Sequence, residues 1–277
     1  MHKKTWQEDV YKIDKWINPA LGKLRLSAIT SRDISCFQSK VKEKNSSVTA
    51  NHYLILVRRM LNLAVKWSLL EKNPASGVDK FREPPHRERY LTKEELPRFL
   101  KALDQQEDRL SMAAIKLLLF TGCRKGEVLS LTWGNVRLEQ GRIQLPVTKN
   151  GKSRSVPLNV KAREVLEGLK AKREEDAPDA DFVFPSRRGA AQGHLEDIRR
   201  VFDRVCRAAD IDNLRIHDLR HSFASIAVSS GASLYDVQKL LGHSDATMTQ
   251  RYAHLAEESL QRATDNVSSA IEEAASS

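Results

Sequence analysis

The chain has 277 residues, of which 40% are hydrophobic, and its formal net charge is +10 at pH 7. This length and apolar content exclude a disordered chain and favour two domains with cores of their own. Residues 1–90 contain 18 Lys and Arg against 9 Asp and Glu, whereas the rest of the chain contains 28 against 27. Nearly all of the excess positive charge is therefore N-terminal. Such an asymmetry is typical of a basic arm that grips a polyanion, although a solvated surface has the same composition.

The cysteines and the hydropathy of the chain indicate the cellular compartment. Cys36, Cys123 and Cys206 lie far apart and show no C-x-x-C spacing, which argues for a reducing compartment and against disulfides or zinc. No run approaches the roughly 18 apolar residues that cross a bilayer, and the N-terminus lacks the apolar core of a signal peptide. The sequence therefore predicts a cytoplasmic protein without membrane contact.

The first part of the chain predicts a small helical domain. One helix is expected around Trp6 to Ile17, a second begins at the Thr30-Ser31 cap signal, and a long third runs from about Val48 to Leu70. Apolar residues recur in the third helix at helical spacing: Tyr53, Leu56, Val57, Met60, Leu61, Ala64, Val65 and Leu69. Other positions of this helix are basic, among them Arg58, Arg59 and Lys66. The domain should therefore present basic faces.

A charged, proline-rich stretch follows this helical region. Pro84 and Pro85 lie within the segment from Asp79 to Arg89, which has no apolar period and cannot continue a helix. We predict a helical domain at 1–78, a linker at 79–90 and a second domain at 91–277.

The second domain should be mainly helical with a small antiparallel sheet. Thr92 and Glu95 form a capping-box signal, and the apolar helix Met112 to Phe120 is broken by Gly122. Short β-like runs occupy Val136 to Leu158, where Asn150-Gly151 favours a tight hairpin turn with Lys149 at its tip. Further helices are predicted at Glu196 to Ala209, Asp218 to Ser229, Leu234 to Leu241 and Asp245 to Tyr252. The predicted fold class is α+β, mainly α.

Six residues of the second domain form a set suited to phosphate chemistry. They supply two guanidiniums, an ammonium, two imidazoles and a phenol: Arg124, Lys149, His217, Arg220, His243 and Tyr252. Arginine forks match phosphate oxygens, lysine and histidine move protons, and a phenol can attack phosphorus to leave a covalent ester. Neither a carboxylate pair nor a cysteine cluster accompanies them. The set predicts metal-independent strand transfer on DNA.

Arg124 is expected at the start of a helix that buries Val128, Leu129, Leu131 and Trp133. A cation there opposes the helix dipole, whereas the helix amides attract an anion, so a bound phosphate would resolve the conflict. Glu127, one turn on, could buttress the guanidinium or stay solvated. The alternative for Arg124 is an ordinary surface arginine.

His217 and Arg220 are three residues apart, so on a helix they project from one face toward a single phosphate. Gly242 can end one helix and Ser244 can cap the next, which fixes His243 at the junction. Structural histidines and a half-buried Tyr252 are the alternatives. A metal site at the two histidines is a rival, but no Asp or Glu stands at a familiar ligand spacing.

Four strings carry a resemblance to a known family. They are Thr-Gly-Cys-Arg-Lys-Gly-Glu-Val-Leu, Thr-Lys-Asn-Gly-Lys-Ser-Arg-Ser-Val-Pro-Leu, His-Asp-Leu-Arg-His-Ser-Phe-Ala and Leu-Leu-Gly-His-Ser, with Tyr252 nine residues after His243. In this order and spacing they closely resemble the tyrosine recombinases, or phage-type integrases, over essentially the whole chain. The resemblance implies a helical core-binding domain and a tyrosine-recombinase catalytic domain that clamp a DNA duplex from opposite sides.

The resemblance also implies roles at the scissile phosphate. Arg124 and Arg220 would hold its non-bridging oxygens, with Glu127 in support. Lys149 would protonate the leaving 5′-hydroxyl, and Lys152 is a nearby competitor for that role.

The remaining roles belong to the histidines and the phenol. His217 would accept or shuttle the proton of the nucleophile Tyr252, and His243 would hydrogen-bond the phosphate. The candidate DNA-binding residues are Arg58, Arg59, Lys66, Lys152 and Arg154.

We therefore expect a site-specific DNA recombinase that integrates or excises a mobile element through staged strand exchange on a Holliday junction. Four protomers would act on synapsed double-stranded DNA at the nucleoid, and the free protein would be a monomer or a weak oligomer. No metal or other cofactor is implied. A type IB topoisomerase-like relaxation of DNA and an inactive DNA-binding regulator are the alternatives.

Two further expectations concern the residues before the first predicted helix and the residues after Tyr252. Only a few residues precede the first helix, so the arm-binding domain of many integrases is expected to be absent or lost by truncation. After Tyr252, Leu260, Ala263, Val267 and Ile271 recur at helical spacing. This apolar stripe would pack either on a neighbouring protomer or on its own domain.

Overall fold

The computed structural model describes residues 6–85, 87–146, 153–176, 179–186 and 192–256, and in the tail residues 264, 267, 268, 271, 272, 274 and 275. The chain divides into two compact units, Met1–Arg87 and Glu88–Ser277. The domains predicted at 1–78 and 91–277 fall in one unit each, and their boundaries stay a prediction. No helix in the described part of the chain combines the length and the apolar sequence needed to cross a bilayer.

The first unit is helical. Its helices are α1 (Trp6–Lys12), α2 (Asn18–Leu21), α3 (Ser31–Lys44) and α4 (Ser47–Lys66), with a π-helical turn at Ile13–Ile17 and a 3₁₀ turn at Leu26–Ala28. Thr30 caps α3 through a capping box, because its side chain accepts the N–H of Asp33 and the Asp33 carboxylate accepts the N–H of Thr30. The cap signal predicted at Thr30 is confirmed.

Helix α4 supplies much of the core of the first unit. Tyr53, Leu54, Val57 and Leu61 are buried against the apolar face of α3, as the helical spacing predicted for three of them. The helix ends at Lys66, four residues earlier than predicted, because the chain turns with a positive φ of 59° at Ser68. Leu69 therefore lies outside the helix and is 60% exposed, so its place in the predicted stripe was wrong.

The start of the predicted linker is held by the first unit. The Gln38 amide donates to the carbonyl of Asp79, and the buried Asn51 amide pairs with both backbone groups of Phe81. The Arg58 guanidinium donates to the carbonyls of Ala75 and Val78. The described residues of 79–90 form neither helix nor strand, but those up to position 81 pack on α3 and α4 and do not hang free.

The second unit contains the remaining helices and the sheet. Its helices are α5 (Glu95–Asp104), α6 (Arg109–Thr121), α7 (Lys125–Leu129), α8 (Val160–Asp176), α9 (Arg199–Ala208), α10 (Asp218–Ser229), α11 (Leu234–Leu241) and α12 (Thr247–Gln250). Its strands are β1 (Val136–Arg137), β2 (Arg142–Leu145) and β3 (Arg154–Pro157), which pair antiparallel in the order β1-β2-β3. The predicted fold class, mainly α with a small antiparallel sheet, is confirmed.

Antiparallel register places the β2–β3 connection at one end of the sheet. Leu145 pairs with Arg154 and Arg142 pairs with Pro157, so residues 146–153 join the two strands. Lys149 and Lys152 belong to this connection and lie outside the described residues.

Two apolar clusters organise the second unit. The larger one joins α5, α6, α8 and α9 with the sheet around Phe99, Phe184 and Phe202. The smaller one consists of residues from α10, α11 and the segment after α12: Ala224, Val228, Val237, Leu241, Tyr252 and Leu255. Since α6 also packs on α10, the end of α6 is brought to this smaller cluster.

Several predicted helices of the second unit are shorter in the structure, and the one predicted at Glu196 to Ala209 is α9. The helix after Arg124 ends at Leu129, so Leu131 is buried in the following loop and Trp133 begins a 3₁₀ turn. The helix predicted at Asp245 to Tyr252 is only α12, whose N-cap residue is Ala246. The Asp245 carboxylate accepts the N–H and the hydroxyl of Thr247, which forms a turn and not a helix cap.

Candidate active site

The junction between α6 and α7 forms one wall of the site. Gly122 ends α6 with a φ of +64°, and a Cβ at this position would lie 2.5 Å from the Phe223 ring and 2.9 Å from the Leu241 side chain. Glycine therefore permits the close approach of α6 to α10 and α11 as well as the left-handed turn. Arg124 follows two residues later as the N-cap residue of α7.

Glu127 holds the Arg124 backbone and guanidinium together. Its carboxylate accepts the Arg124 N–H at 2.8 Å and Arg124 Nη1 at 2.9 Å, and it also accepts Arg154 Nη2 at 2.7 Å. Burial acts to raise the pKa of Glu127, but the Arg124 N–H and the Arg154 charge outweigh it and leave that pKa below its ordinary value. The carboxylate is thus a half-buried buttress between two arginines and not a solvated first-turn carboxylate.

Arg220 is the most deeply buried cation of the site, with 4% of its surface exposed. It donates from Nη1 to the carbonyl of Gly122 and from Nη2 to the carbonyl of Leu241, both at 2.7 Å. Burial, and next the charge of Arg124, lowers the pKa of Arg220 to about 10, so it stays protonated at neutral pH. Two helix-terminal carbonyls therefore fix the plane of this guanidinium.

Arg154 is engaged inside the protein. Its Nη1 donates to the Leu240 carbonyl at 2.6 Å, its Nη2 contacts Glu127, and its Nε is buried without a hydrogen-bond partner among the described residues. A Cβ on Gly242 would lie 2.5 Å from Arg154 Cδ. The guanidinium thus ties the end of α11 to Glu127, which differs from the DNA contact that the sequence suggested for it.

His243 is fixed where α11 ends. Gly242 has a φ of +66°, the His243 N–H donates to the Gln238 carbonyl, and His243 Nδ1 lies 2.8 Å from Thr249 Oγ1. With Nδ1 occupied by Thr249, Nε2 is the nitrogen that remains for a phosphate oxygen. Burial, followed by the charges of Arg220 and Arg124, lowers the pKa of His243 to about 4.

His217 precedes α10 and lies close to the arginines. Burial lowers the pKa of His217, and the charge of Arg220 is the next cause, with Arg124 contributing as well. Its ring packs edge to face against the ring of His221, with centroids 5.1 Å apart. His217 thus lies beside two guanidiniums whose charges both act to lower its pKa.

Tyr252 is 4% exposed, and burial raises the pKa of its phenol to about 12 despite the charges of Arg251 and Arg220. Its Oη lies 2.5 Å from Nδ1 of His221. Sequence reasoning did not single out His221. The available signal was its position on α10, four residues after the N-cap residue His217, which places both rings on one side of the helix.

These residues converge on one place that favours an anion. Arg124, Arg154 and Arg220 supply three positive charges against the single carboxylate of Glu127, and the described residues hold no group of three His, Cys, Asp or Glu that could bind a metal. The proposed acid Lys149 lies in the undescribed connection that leads to Arg154. The arrangement can hold a phosphodiester beside a buried phenol.

The basic candidates of the first unit differ in accessibility. Arg59 and Lys66 are exposed and seven residues apart on α4, so they lie on one face. Arg58 is half-buried and holds the chain after α4 through Ala75 and Val78. Only the first two have side chains placed on the solvent surface.

Family models and relatives match most of the chain. The family model described as “Phage integrase family” matches residues 89–259, and the model described as “Phage integrase, N-terminal SAM-like domain” matches residues 2–42. Tyrosine recombinase XerD of Vibrio cholerae serotype O1 is 30% identical over 265 residues, which cover 93% of this chain and 87% of XerD. Tyrosine recombinase XerA of Saccharolobus solfataricus is 30% identical over 260 residues, which cover 94% and 77%.

Solved structures share the fold. The Tn1549 transposon integrase in complex with circular intermediate DNA aligns with a TM-score of 0.76 at 19% identity, covering 91% of this chain and 90% of that one. A lambda integrase tetramer bound to a Holliday junction aligns with a TM-score of 0.74 at 20% identity, covering 91% and 72%.

Proposed function

We propose, from the premise that this chain belongs to the phage integrase family and is a site-specific DNA recombinase of the tyrosine type, that it cleaves DNA through a 3′-phosphotyrosine at Tyr252. One observation carries the assignment of the site. A buried phenol lies in a cluster of three guanidiniums and one carboxylate, and the charge of Arg220 acts on the phenol as well as on His217 and His243.

In the proposed reaction, Arg124 and Arg220 hold the non-bridging oxygens of the scissile phosphate. Both guanidiniums are already oriented before DNA binds, Arg220 by two carbonyls and Arg124 by Glu127. Such preorganised donors stabilise the charge that develops on phosphorus in the transition state at little reorganisation cost. His243 Nε2 adds a hydrogen bond to the same phosphate. An imidazole of the site accepts or shuttles the proton of the nucleophile, a role that the family resemblance gives to His217.

Attack by Tyr252 Oη on phosphorus forms the phosphotyrosine and releases the 5′ oxygen. That oxygen needs a proton, which we assign to Lys149, with Lys152 as the competing donor. The ester keeps the bond energy of the phosphodiester, so a 5′-hydroxyl of another strand can attack it and restore the backbone. No metal or other cofactor enters this scheme.

DNA is gripped, in this proposal, by the basic first unit. Arg59 and Lys66 on the exposed face of α4 contact phosphates, while Arg58 and Arg154 act by holding the protein backbone. The proposed assembly on synapsed DNA is a tetramer, for which the lambda integrase tetramer on a Holliday junction is the structural precedent. The free protein is proposed to be a monomer or a weak oligomer, working in the cytoplasm at the nucleoid.

The tail is proposed to dock on a neighbouring protomer in that assembly. Val267 and Ile271 of the predicted apolar stripe are 58% and 63% exposed, which favours this alternative over packing on their own domain. Leu260 and Ala263 lie outside the described residues.

Replacement of Tyr252 by Phe tests the proposal directly. Tyr252→Phe keeps the ring in its apolar cluster and removes the nucleophile, so the covalent DNA adduct should disappear while duplex affinity stays nearly unchanged. The measurement is adduct formation on denaturing gels with a nicked substrate, in buffer that contains excess chelator. An adduct formed by the variant, or a wild-type enzyme that requires added zinc or magnesium, would overturn the assignment.

A further inference from the structure

His221 is a second imidazole at the nucleophile. It lies on α10 one turn after His217, and its Nδ1 is 2.5 Å from Tyr252 Oη. Residues 221 and 252 are 31 positions apart, so this contact results from the packing of α10 against the segment after α12. Among the described residues, His217 makes its ring contact with His221 and no hydrogen bond to the phenol. The imidazole that touches the reacting oxygen is therefore His221.

The phenol and the imidazole are both neutral in the free protein. Burial, and next the neighbouring His217, lowers the pKa of His221 to about 4, whereas burial raises the pKa of Tyr252 to about 12. A neutral imidazole has one protonated nitrogen and one acceptor nitrogen. Since the phenol O–H is a donor, the complementary tautomer carries its proton on Nε2 and directs the Nδ1 lone pair at Tyr252.

We propose that His221 is the immediate proton acceptor of Tyr252 in the cleavage step, which leaves His217 to face the phosphate. The proposal rests on the proposed function. As the bond from Tyr252 Oη to phosphorus forms and the bond from phosphorus to the 5′ oxygen breaks, the phenolic proton moves to His221 Nδ1. The leaving 5′ oxygen takes its proton from the general acid, and religation returns the proton from His221 to Tyr252.

The transfer belongs to the transition state and not to the resting protein. Before attack, the separation of the two pKa values keeps the proton on the phenol. The forming bond to phosphorus withdraws electrons from Oη and makes its proton more acidic, so an acceptor already in contact becomes effective at that moment. A bound phosphodiester also offsets the positive charges of Arg220 and Arg251, which lower the pKa of His221 when DNA is absent.

The test uses single-turnover cleavage of a nicked duplex at saturating enzyme. His221→Phe keeps a ring in the same space but has no acceptor, and it should form the phosphotyrosine adduct roughly 100-fold more slowly with duplex affinity unchanged. His221→Asn can accept a hydrogen bond and hold the phenol but cannot take its proton at neutral pH, so its rate should fall between those of the wild type and His221→Phe. The exposed His254 is the matched control, and His254→Phe should cleave at the wild-type rate.

A more acidic nucleophile shows whether His221→Phe is slow because proton transfer is lost or because packing has changed. Incorporation of 3,5-difluorotyrosine at position 252 lowers the phenol pKa, so the penalty of His221→Phe should shrink markedly in that background. Three results would overturn the proposal: a wild-type rate in His221→Phe and His221→Asn, an equal penalty with both nucleophiles, or a faster rate that shows the histidine to restrain the phenol. If the wild-type enzyme forms no adduct at all, the proposed function fails instead.

Discussion

Arg220 and Lys149 are assigned chemically different tasks, although both are cations near the same phosphate. Arg220 is buried, and its guanidinium is oriented by the carbonyls of Gly122 and Leu241. Such a group acts on the charge that builds up on the phosphoryl oxygens. Lys149 is assigned to the leaving oxygen, where its contribution depends on how strongly that oxygen needs a proton.

A sulfur-substituted substrate distinguishes these tasks. Replacement of the bridging 5′ oxygen by sulfur gives a leaving group that needs little protonation, so Lys149→Ala should regain cleavage on it. Arg220→Ala should lose roughly 10²–10³ in rate on the oxygen substrate, by analogy with removal of one oxyanion donor, and should not be rescued comparably. The measurement is the single-turnover rate on both substrates. An equal response of the two variants would make Lys149 a phosphate clamp or Lys152 the acid.

At the scale of elements, the site is assembled where helices end. Gly242 ends α11 with a positive φ and leaves room for the Arg154 side chain, which reaches past it from β3 to the Leu240 carbonyl. His243 follows at once. The position of one imidazole thus depends on how α11 terminates.

Two glycines with similar backbone angles provide a matched test of this junction. Gly242 and Gly141 have φ values of +66° and +59°, but only at Gly242 would a Cβ meet another side chain, that of Arg154. Gly141→Ala should cost about 1–2 kcal/mol of unfolding free energy for the left-handed conformation and leave the cleavage rate of the folded protein unchanged.

Gly242→Ala should cost more than Gly141→Ala and should also slow cleavage, because Arg154 must move away from Glu127 and His243 must move with the turn. Urea unfolding and adduct formation on both variants check this. An equal decrease in stability with normal cleavage in both would show that the proximity of Arg154 does not matter.

The free energy of unfolding should also decrease in mild acid, because two histidines of the site have lowered pKa values. His221 and His243 have pKa values of about 4 in the folded protein, against about 6.5 in an unfolded chain. Between these values the unfolded chain binds more protons, so the free energy of unfolding should fall as the pH drops from about 6.5 toward about 4. Above about 6.5 these two histidines contribute no pH dependence.

Urea unfolding across this pH window measures the effect. His243→Asn should show a shallower decline than the wild-type protein, and His254→Asn, which changes an exposed imidazole, should show the wild-type decline. A decline in His243→Asn as steep as in the wild type would assign the acid sensitivity to other groups.

Local signals in the sequence were sufficient for the elements that hold most of the site. The predicted bounds of α10 and α11 match the structure, because α11 has a capping box at Ser233 and a glycine at its end, and such signals act within four residues. α12 was predicted too long because its N-cap residue is Ala246, and an alanine gives no capping signal in the sequence. The contact of His221 with Tyr252 could not be predicted from spacing, since it depends on the packing of elements far apart in the chain.

At the scale of the whole molecule, the charge is divided between the units. The excess of 9 basic residues over residues 1–90 contrasts with an excess of 1 in the rest, obtained as 18 minus 9 and 28 minus 27. If the first unit supplies most of the cations that meet phosphates, its surface should dominate the salt dependence of binding, since each neutralised phosphate releases counterions from the duplex.

A pair of double variants of the full chain tests this division. Arg59→Ala/Lys66→Ala should make the slope of log affinity against log salt less steep by roughly 0.9 for each phosphate no longer neutralised, hence by about 1.8. The control Lys161→Ala/Arg163→Ala removes the same charge from the exposed face of α8, where both residues pair with glutamates, and should change the slope little. Equal changes in both variants would mean that net charge, and not the α4 face, governs binding.

The two hydrogen bonds of Arg220 to backbone carbonyls have a consequence for how inactive copies of such a gene change in sequence. Its guanidinium satisfies carbonyls at the ends of two helices, and its removal would leave both without their partner in a buried site. Tyr252, by contrast, can become phenylalanine and keep its apolar neighbours, with the loss of the hydrogen bond to His221 alone. Under relaxed selection for recombination, stability still favours the arginine, whereas replacement of the tyrosine by phenylalanine costs less stability. In descendant sequences, an intact arginine at this position therefore says little about activity, and the tyrosine is the informative character.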